Sequence, residues 1–80
     1  MISEKILHEE KISREEVADR LQAIAHELRE GGDANIDVGN KTVTLSPAAS
    51  VGYEIGTRES SSVLRGSRES VTIKLDWKPE

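Results

Sequence analysis

The chain contains no cysteine and no phenylalanine, and its 80 residues include only one tryptophan, one tyrosine and two prolines. The absence of cysteine excludes disulfide bonds and cysteine-ligated zinc sites. No stretch approaches the ~20 apolar residues of a membrane span, and the polar first residues do not resemble a secretory signal. We therefore expect no membrane association and a cytoplasmic location.

Basic side chains are also too few for a general nucleic-acid binder. The 11 lysines and arginines face 15 acidic residues, which gives a net charge of −4. Nucleic acid is an improbable partner, because proteins that bind it usually carry a basic surface. A chain of this length buries only about 60% of its unfolded surface, so a single domain spanning residues 1–80 with a thin core is expected.

One amphipathic helix is predicted from Ser13 to the pair Gly31-Gly32. Ser13 and Glu16 have the spacing of a capping box, and glycine is a common helix terminator. Arg20 lies one turn after Glu16, where the two charges attract. The apolar positions repeat at helical spacing on one stripe: Val17, Leu21, Ile24 and Leu28.

Alternating apolar and polar residues predict five strands around this helix. They cover residues 5–11, 34–38, 41–45, 51–58 and 71–77, and residues 59–67 are expected to form a loop. A turn at Gly39-Asn40 would pair Ile36 with Val43 and Ala34 with Leu45. The order β-α-β-β-β-β predicts an α+β fold of two layers, with one helix packed on a mostly antiparallel sheet of about five strands.

The strand at residues 71–77 alternates without a fault and ends in the only tryptophan. Five strands make a sheet roughly 20 Å wide, whereas one helix covers only ~10 Å of it. The uncovered apolar surface predicts a homodimer, since two-fold pairing is the commonest way to bury such a patch, with an unidentified protein partner as the alternative. The candidate interface residues are Tyr53, Val71, Ile73, Leu75 and Trp77.

A second candidate site is the segment 58–68, which is rich in arginine and serine. Arg58, Arg65 and Arg68 would supply forked donors for a phosphate or another anion, RNA phosphate included. The alternative interpretation is a mobile, solvated loop in which the arginines pair with acids such as Glu59 and Glu69. Val63 and Leu64 are unusual in such a loop and would tuck against the sheet or dock on a partner.

No arrangement of residues indicates catalysis, a metal or a cofactor, and none is expected. His26 lies opposite the apolar stripe of the helix and is expected on the surface, while His8 shares parity with Ile6. Nothing in the spacing brings the two histidines together as metal ligands. Most carboxylates fall on faces expected to be wet or in the helix cap, where solvation and capping explain them.

Two segments in combination resemble the amphi-Trp domain family. They are the helix start Ser13-Arg14-Glu15-Glu16-Val17-Ala18 with Leu21, and the closing Ile73-Lys74-Leu75-Asp76-Trp77. A glycine turn and a short strand ending in Pro47 lie between them, so the resemblance covers nearly the whole chain. The segment 59–67 departs from the pattern, because it has serine and arginine where the family has a short acidic or glycine turn.

The resemblance implies a fold but no activity, because the family consists of small uncharacterised prokaryotic proteins. We therefore expect a non-enzymatic structural or protein-interaction module that self-associates through its amphipathic C-terminal strand. The alternative is a small protein that binds anions or RNA phosphate through residues 58–68.

Overall fold

The computed structural model describes residues 4–79, and it confirms the α+β class. Its elements are α1 (Arg14–Glu30), β1 (Ala34–Val38), β2 (Lys41–Leu45), β3 (Gly52–Ser62) and β4 (Gly66–Asp76). The chain divides after Pro47 into two compact units, the second of which is Ala48–Lys78. Residues 1–3 and residue 80 lie outside the described part. Residues 1–3 belong to the polar start on which the expectation of no secretory signal was based.

Helix α1 begins at the predicted cap. The Ser13 hydroxyl accepts a hydrogen bond of 3.0 Å from the backbone N–H of Glu16, which satisfies one of the free donors at the helix start. The predicted pair one turn apart also forms, with Arg20 Nη2 at 3.8 Å from Glu16 Oε2. Gly31 ends the helix at φ 78°, a conformation that glycine adopts without steric cost. No helix in the described chain has the length and apolarity needed to cross a bilayer.

Strands β1 and β2 form an antiparallel hairpin in the predicted register. Ala34 lies opposite Leu45, and Ile36 lies opposite Val43. Ala34 is the only buried residue of the described chain, and it begins β1, the strand that helix α1 contacts. The carboxylate of Glu27 on α1 accepts a 2.8 Å hydrogen bond from the backbone N–H of Asn35, which fastens the helix to the strand.

The prediction of a five-stranded sheet was wrong. The described strands form two separate two-stranded antiparallel sheets, β1–β2 and β3–β4. Residues 4–13 have no regular secondary structure, so the strand predicted at 5–11 is absent. Its alternation was irregular, and Ile6 and Leu7, which a strand would place on opposite faces, are both exposed. Without one continuous apolar face, this segment has nothing to gain from joining a sheet.

The loop predicted at residues 59–67 was also wrong, because β3 and β4 run through most of it. Only Val63, Leu64 and Arg65 connect the strands. The Ser62 hydroxyl accepts hydrogen bonds of 3.3 Å from the backbone N–H groups of Leu64 and Arg65. Gly66 closes the turn at φ 76°. Backbone pairing continues through this polar segment because a ladder exposed on both faces needs no apolar side chains to satisfy its N–H and C=O groups.

Candidate functional site

The β3–β4 hairpin has one apolar face and one polar face, because successive side chains of a strand point to opposite sides. Tyr53 lies opposite Leu75, Ile55 opposite Ile73, and Thr57 opposite Val71. We call these six residues the apolar row. Four of them have 45–66% of their surface exposed to solvent: Tyr53 66%, Ile55 53%, Val71 64% and Ile73 45%.

Cross-strand pairing explains why the apolar row forms a hairpin. Aromatic and β-branched side chains placed directly opposite each other favour strand pairing, each pair by about 0.2–1 kcal/mol. A two-stranded hairpin is nevertheless only marginally stable in water, and three or more strands or a covered apolar face are normally required. The apolar row is therefore well suited to forming the strands and offers further surface for a contact.

Four of the five predicted interface residues belong to the apolar row: Tyr53, Val71, Ile73 and Leu75. Trp77, the fifth, lies one residue beyond the end of β4 and is half-buried. The prediction omitted Ile55, which pairs with Ile73 at the centre of the row. Its shared parity with Tyr53 was the signal available in the sequence.

Arg58 and Arg68 lie together on the polar face of the hairpin. Arg58 is opposite Ser70, and Arg68 is opposite Ser60, so the two arginines are diagonal neighbours in consecutive pairs of the polar face. Diagonal neighbours are ~7–8 Å apart, within reach of two long side chains that converge on one ligand. Arg65 lies in the turn beyond them.

The expected ion pairs between these arginines and Glu59 or Glu69 do not form. Within residues 4–79, no ion pair involves Arg58, Arg65 or Arg68. The register explains this: Glu59 and Glu69 oppose each other on the face that carries the apolar row, away from Arg58 and Arg68. The turn end of the polar face is consequently positive and has no neighbouring carboxylate.

The other end of the polar face carries charges of both signs. Glu54 lies opposite Lys74, and Lys74 Nζ is 3.8 Å from Asp76 Oδ2 on its own strand. Strand β4 thus has an arginine near its start and an aspartate at its end, both on the polar face. This polarity along the strand is relevant to any antiparallel pairing of β4 with itself.

The hairpin turn presents two apolar side chains to solvent. Val63 and Leu64 are 104% and 94% exposed. The expectation that they pack against the sheet was therefore wrong. The remaining expectation, docking on a partner, stays a prediction.

A small charged cluster links the segment before α1 to the helix. Glu10 Oε2 is 3.0 Å from both His8 Nε2 and Arg20 Nη1. Hydrogen bonds from His8 and Arg20, together with the charge of Arg20, lower the pKa of Glu10 below its ordinary value of 4.5. All three groups are exposed, and His8 and Arg20 are both paired with Glu10. We therefore interpret the cluster as a structural contact that holds the segment before α1 against the helix.

The histidines are not neighbours in a metal site. His26 is exposed as predicted and lies 3.6 Å from Glu30 Oε1. Among residues 4–79, no group of three or more histidine, aspartate or glutamate side chains is arranged to hold a metal ion. A cleft of about 560 Å³ in the first unit is lined by Glu10, Arg20 and Glu27 among others. Each of these three side chains already has a protein partner.

The family comparison agrees with the resemblance seen in the sequence. The model of the Amphi-Trp domain matches residues 1–80. The chain belongs to the Amphi-Trp domain family. No curated protein and no solved structure shows significant similarity to this Amphi-Trp domain. Its organisation as a single domain stays a prediction, with a family match that covers both units.

Proposed function

We propose that this Amphi-Trp domain is a cytoplasmic, non-enzymatic protein-interaction module that self-associates through strand β4 and the apolar row. The observation that carries the proposal is the exposure of Val71 and Ile73 in a regular, fully paired strand. These are β-branched side chains on one face of a strand, the kind of surface that a second sheet or strand covers well.

A second copy of the chain is the partner that the apolar row supports best. The row has the isoleucine pair Ile55–Ile73 at its centre, the larger Tyr53 and Leu75 at one end, and the smaller Thr57 and Val71 at the other. A two-fold interface brings this patch against itself in reversed direction, so the smaller end of one copy can lie beside the larger end of the other. Half-exposed aliphatic side chains also retain apolar area whose burial is favourable, at about 25 cal/mol per Å².

The first experiment is the solution mass by light scattering over a wide concentration range, with Trp77→Asp and Trp77→Phe as variants. We expect a dimer for the parent and for Trp77→Phe, which keeps an apolar ring. For Trp77→Asp we expect monomer or misfolded protein, because an aspartate beside the apolar row cannot be buried cheaply. Unchanged mass and unchanged stability of Trp77→Asp would contradict the proposal, as would a parent that stays monomeric.

A second candidate function is the binding of phosphate-like anions, including the phosphates of RNA. A separate observation favours it: Arg58 and Arg68 are diagonal neighbours with Ser70 and Ser60 opposite them, and neither arginine forms an ion pair within residues 4–79. Guanidinium groups bind phosphate oxygens with paired hydrogen bonds, and hydroxyls add further donors. Arg65 extends the positive surface into the turn.

This candidate is tested by titrating inorganic phosphate and a short single-stranded RNA while amide and arginine side-chain NMR signals are followed. We expect shifts at Arg58 and Arg68 that weaken as salt rises and that disappear in Arg58→Ala with Arg68→Ala. Lys74→Ala is the matched control, since it removes a positive charge from the same face at the end where Asp76 compensates it. The candidate would be ruled out if Lys74→Ala weakened the NMR shifts as much as Arg58→Ala with Arg68→Ala, or if the parent showed no shifts at all.

A further inference from the structure

Strand β4 has a free edge. Each sheet of the described chain has two strands, so β4 is hydrogen-bonded to β3 on one side only. Every second N–H and C=O group of its 11 residues therefore points away from β3 without a strand partner. A long exposed edge of this kind is a template for pairing with another strand, and β4 contains no proline that would block it.

Symmetry restricts how two β4 strands can pair. In an antiparallel pair, residues directly opposite each other point to the same face. The apolar rows of two copies therefore form one continuous face only when odd-numbered residues meet odd-numbered ones. This requires the two-fold axis to pass through a residue of β4, and moving the axis by one residue changes every charged pair.

Charge selects one of these registers. With the axis at Thr72, Arg68 lies opposite Asp76 of the second copy, and the symmetry repeats this attractive pair. With the axis at Val71, Arg68 would face Lys74 of the second copy. With the axis at Ile73, the ladder would extend two residues past the end of β4 and place Lys78 opposite Arg68. Both alternatives place like charges opposite each other, which is unfavourable.

We propose that a second copy of the chain pairs with the free edge of β4, antiparallel and with the two-fold axis at Thr72. This inference rests on the proposed function and specifies its geometry. Val71 of each copy lies beside Ile73 of the other, and the two hairpins become one four-stranded sheet, above the size at which a sheet is stable by itself. The free edge of β3 is a weaker candidate, because its complementary register has Gly56 at the axis, where no side chain can pack.

Cysteine cross-linking tests the register without interference, because the chain has no cysteine of its own. Residues directly opposite in an antiparallel pair have Cα atoms ~4.5–5.5 Å apart, within the range that a disulfide spans. Thr72→Cys is therefore expected to form a cross-linked dimer under mild oxidation. Gly56→Cys is the matched control: it lies opposite Thr72 in the hairpin, and a Cβ there meets nothing within 4 Å. In the proposed sheet the two copies of residue 56 are ~14 Å apart and cannot be joined.

Each outcome of the cross-linking has a distinct meaning. Cross-linking of Gly56→Cys in place of Thr72→Cys would overturn the inference and assign the contact to β3. A dimer by light scattering in which neither variant cross-links would overturn edge pairing but leave self-association intact. A parent that is monomeric at all concentrations would contradict the proposed function itself.

Charge exchange between copies provides an independent test. Arg68→Asp alone puts two carboxylates opposite each other in the homodimer, and Asp76→Arg alone puts two guanidinium groups there. Each variant alone is expected to dimerise about tenfold more weakly than the parent, whereas an equimolar mixture recovers the parent affinity as a heterodimer. A mixture that associates no better than the separate variants would overturn the register. Damage to the hairpin of either variant would persist on mixing, so only a contact between copies is rescued.

Discussion

Replacing Ile73 with threonine should weaken self-association while leaving the strand intact. Threonine keeps the branched shape that favours strands, and Thr57 already occupies the same row. Complete burial of an isoleucine side chain is worth about 1.5–3 kcal/mol. Ile73 is 45% exposed, so at most roughly half of that free energy remains to be gained on association. In the proposed sheet, Val71 of the second copy covers only the side of Ile73 that faces the new strand, which is about half of this remainder.

A two-fold interface counts this contribution twice, and threonine retains one methyl group. The expected loss is therefore about 0.7–1.4 kcal/mol of dimerisation free energy, which corresponds to a Kd roughly 3- to 10-fold higher. Sedimentation equilibrium over a wide concentration range measures the Kd, and circular dichroism verifies that the strands remain. Glu54→Gln is the control on the polar face of β3. An Ile73→Thr protein that stays folded with a Kd within twofold of the parent would refute the assignment of the apolar row to the interface.

The remaining predictions concern the helix cap, the glycine turn and the ion-pair cluster of the first unit. Ser13→Ala should lower the free energy of unfolding by about 1 kcal/mol, because the Glu16 N–H loses its acceptor, whereas Ser13→Asp should restore it; urea denaturation compares the three. Gly39→Ala should cost about 1 kcal/mol or more, because φ is 67° there and the new Cβ would lie 2.7 Å from His8 Nδ1. Adding His8→Ala should recover only the steric part, and full recovery would show that the backbone conformation is unstrained. Glu10→Gln should reduce stability at pH 7 but not below the lowered pKa of Glu10, since a carboxylate with a depressed pKa stabilises the fold only while ionised. Thermal melts of Glu10→Gln and the parent should therefore converge as pH falls below 4.5. Glu9→Gln, which changes a neighbouring carboxylate outside the ion pairs with His8 and Arg20, is the control.

Local signals predicted the helix and the hairpin of the first unit well, because these elements are determined by neighbouring residues. The cap at Ser13 and the glycine end of α1 are visible within a few positions of the sequence. The hairpin register follows from the two-residue turn at Gly39-Asn40 and the pairing of Ile36 with Val43. In each case the turn or cap chemistry agrees with the apolar pattern, and such agreement between levels makes a prediction dependable.

The two wrong predictions, the loop at 59–67 and the strand at 5–11, both inferred strand boundaries from the pattern of apolar side chains and not from backbone pairing. Residues 59–67 lack apolar alternation, and this suggested a loop, yet they continue the ladder of β3 and β4 up to a three-residue turn. The opposite error occurred at residues 5–11, where a few apolar side chains suggested a strand that has no partner. A ladder exposed on both faces leaves no apolar signature, so the extent of β3 and β4 was not readable from composition.

The extended hairpin changes the meaning of both candidate sites. As a loop, residues 58–68 would have held their arginines near Glu59 and Glu69, and the charges would have cancelled. As strands, they separate arginines and glutamates onto opposite faces, and they place Arg68 in line with Asp76 along one edge. The same backbone pairing thus creates a positive surface near the turn and a self-complementary edge along β4. A contact at that edge would use Arg68 for Asp76 of a second copy, so anion binding and self-association would compete for one guanidinium group.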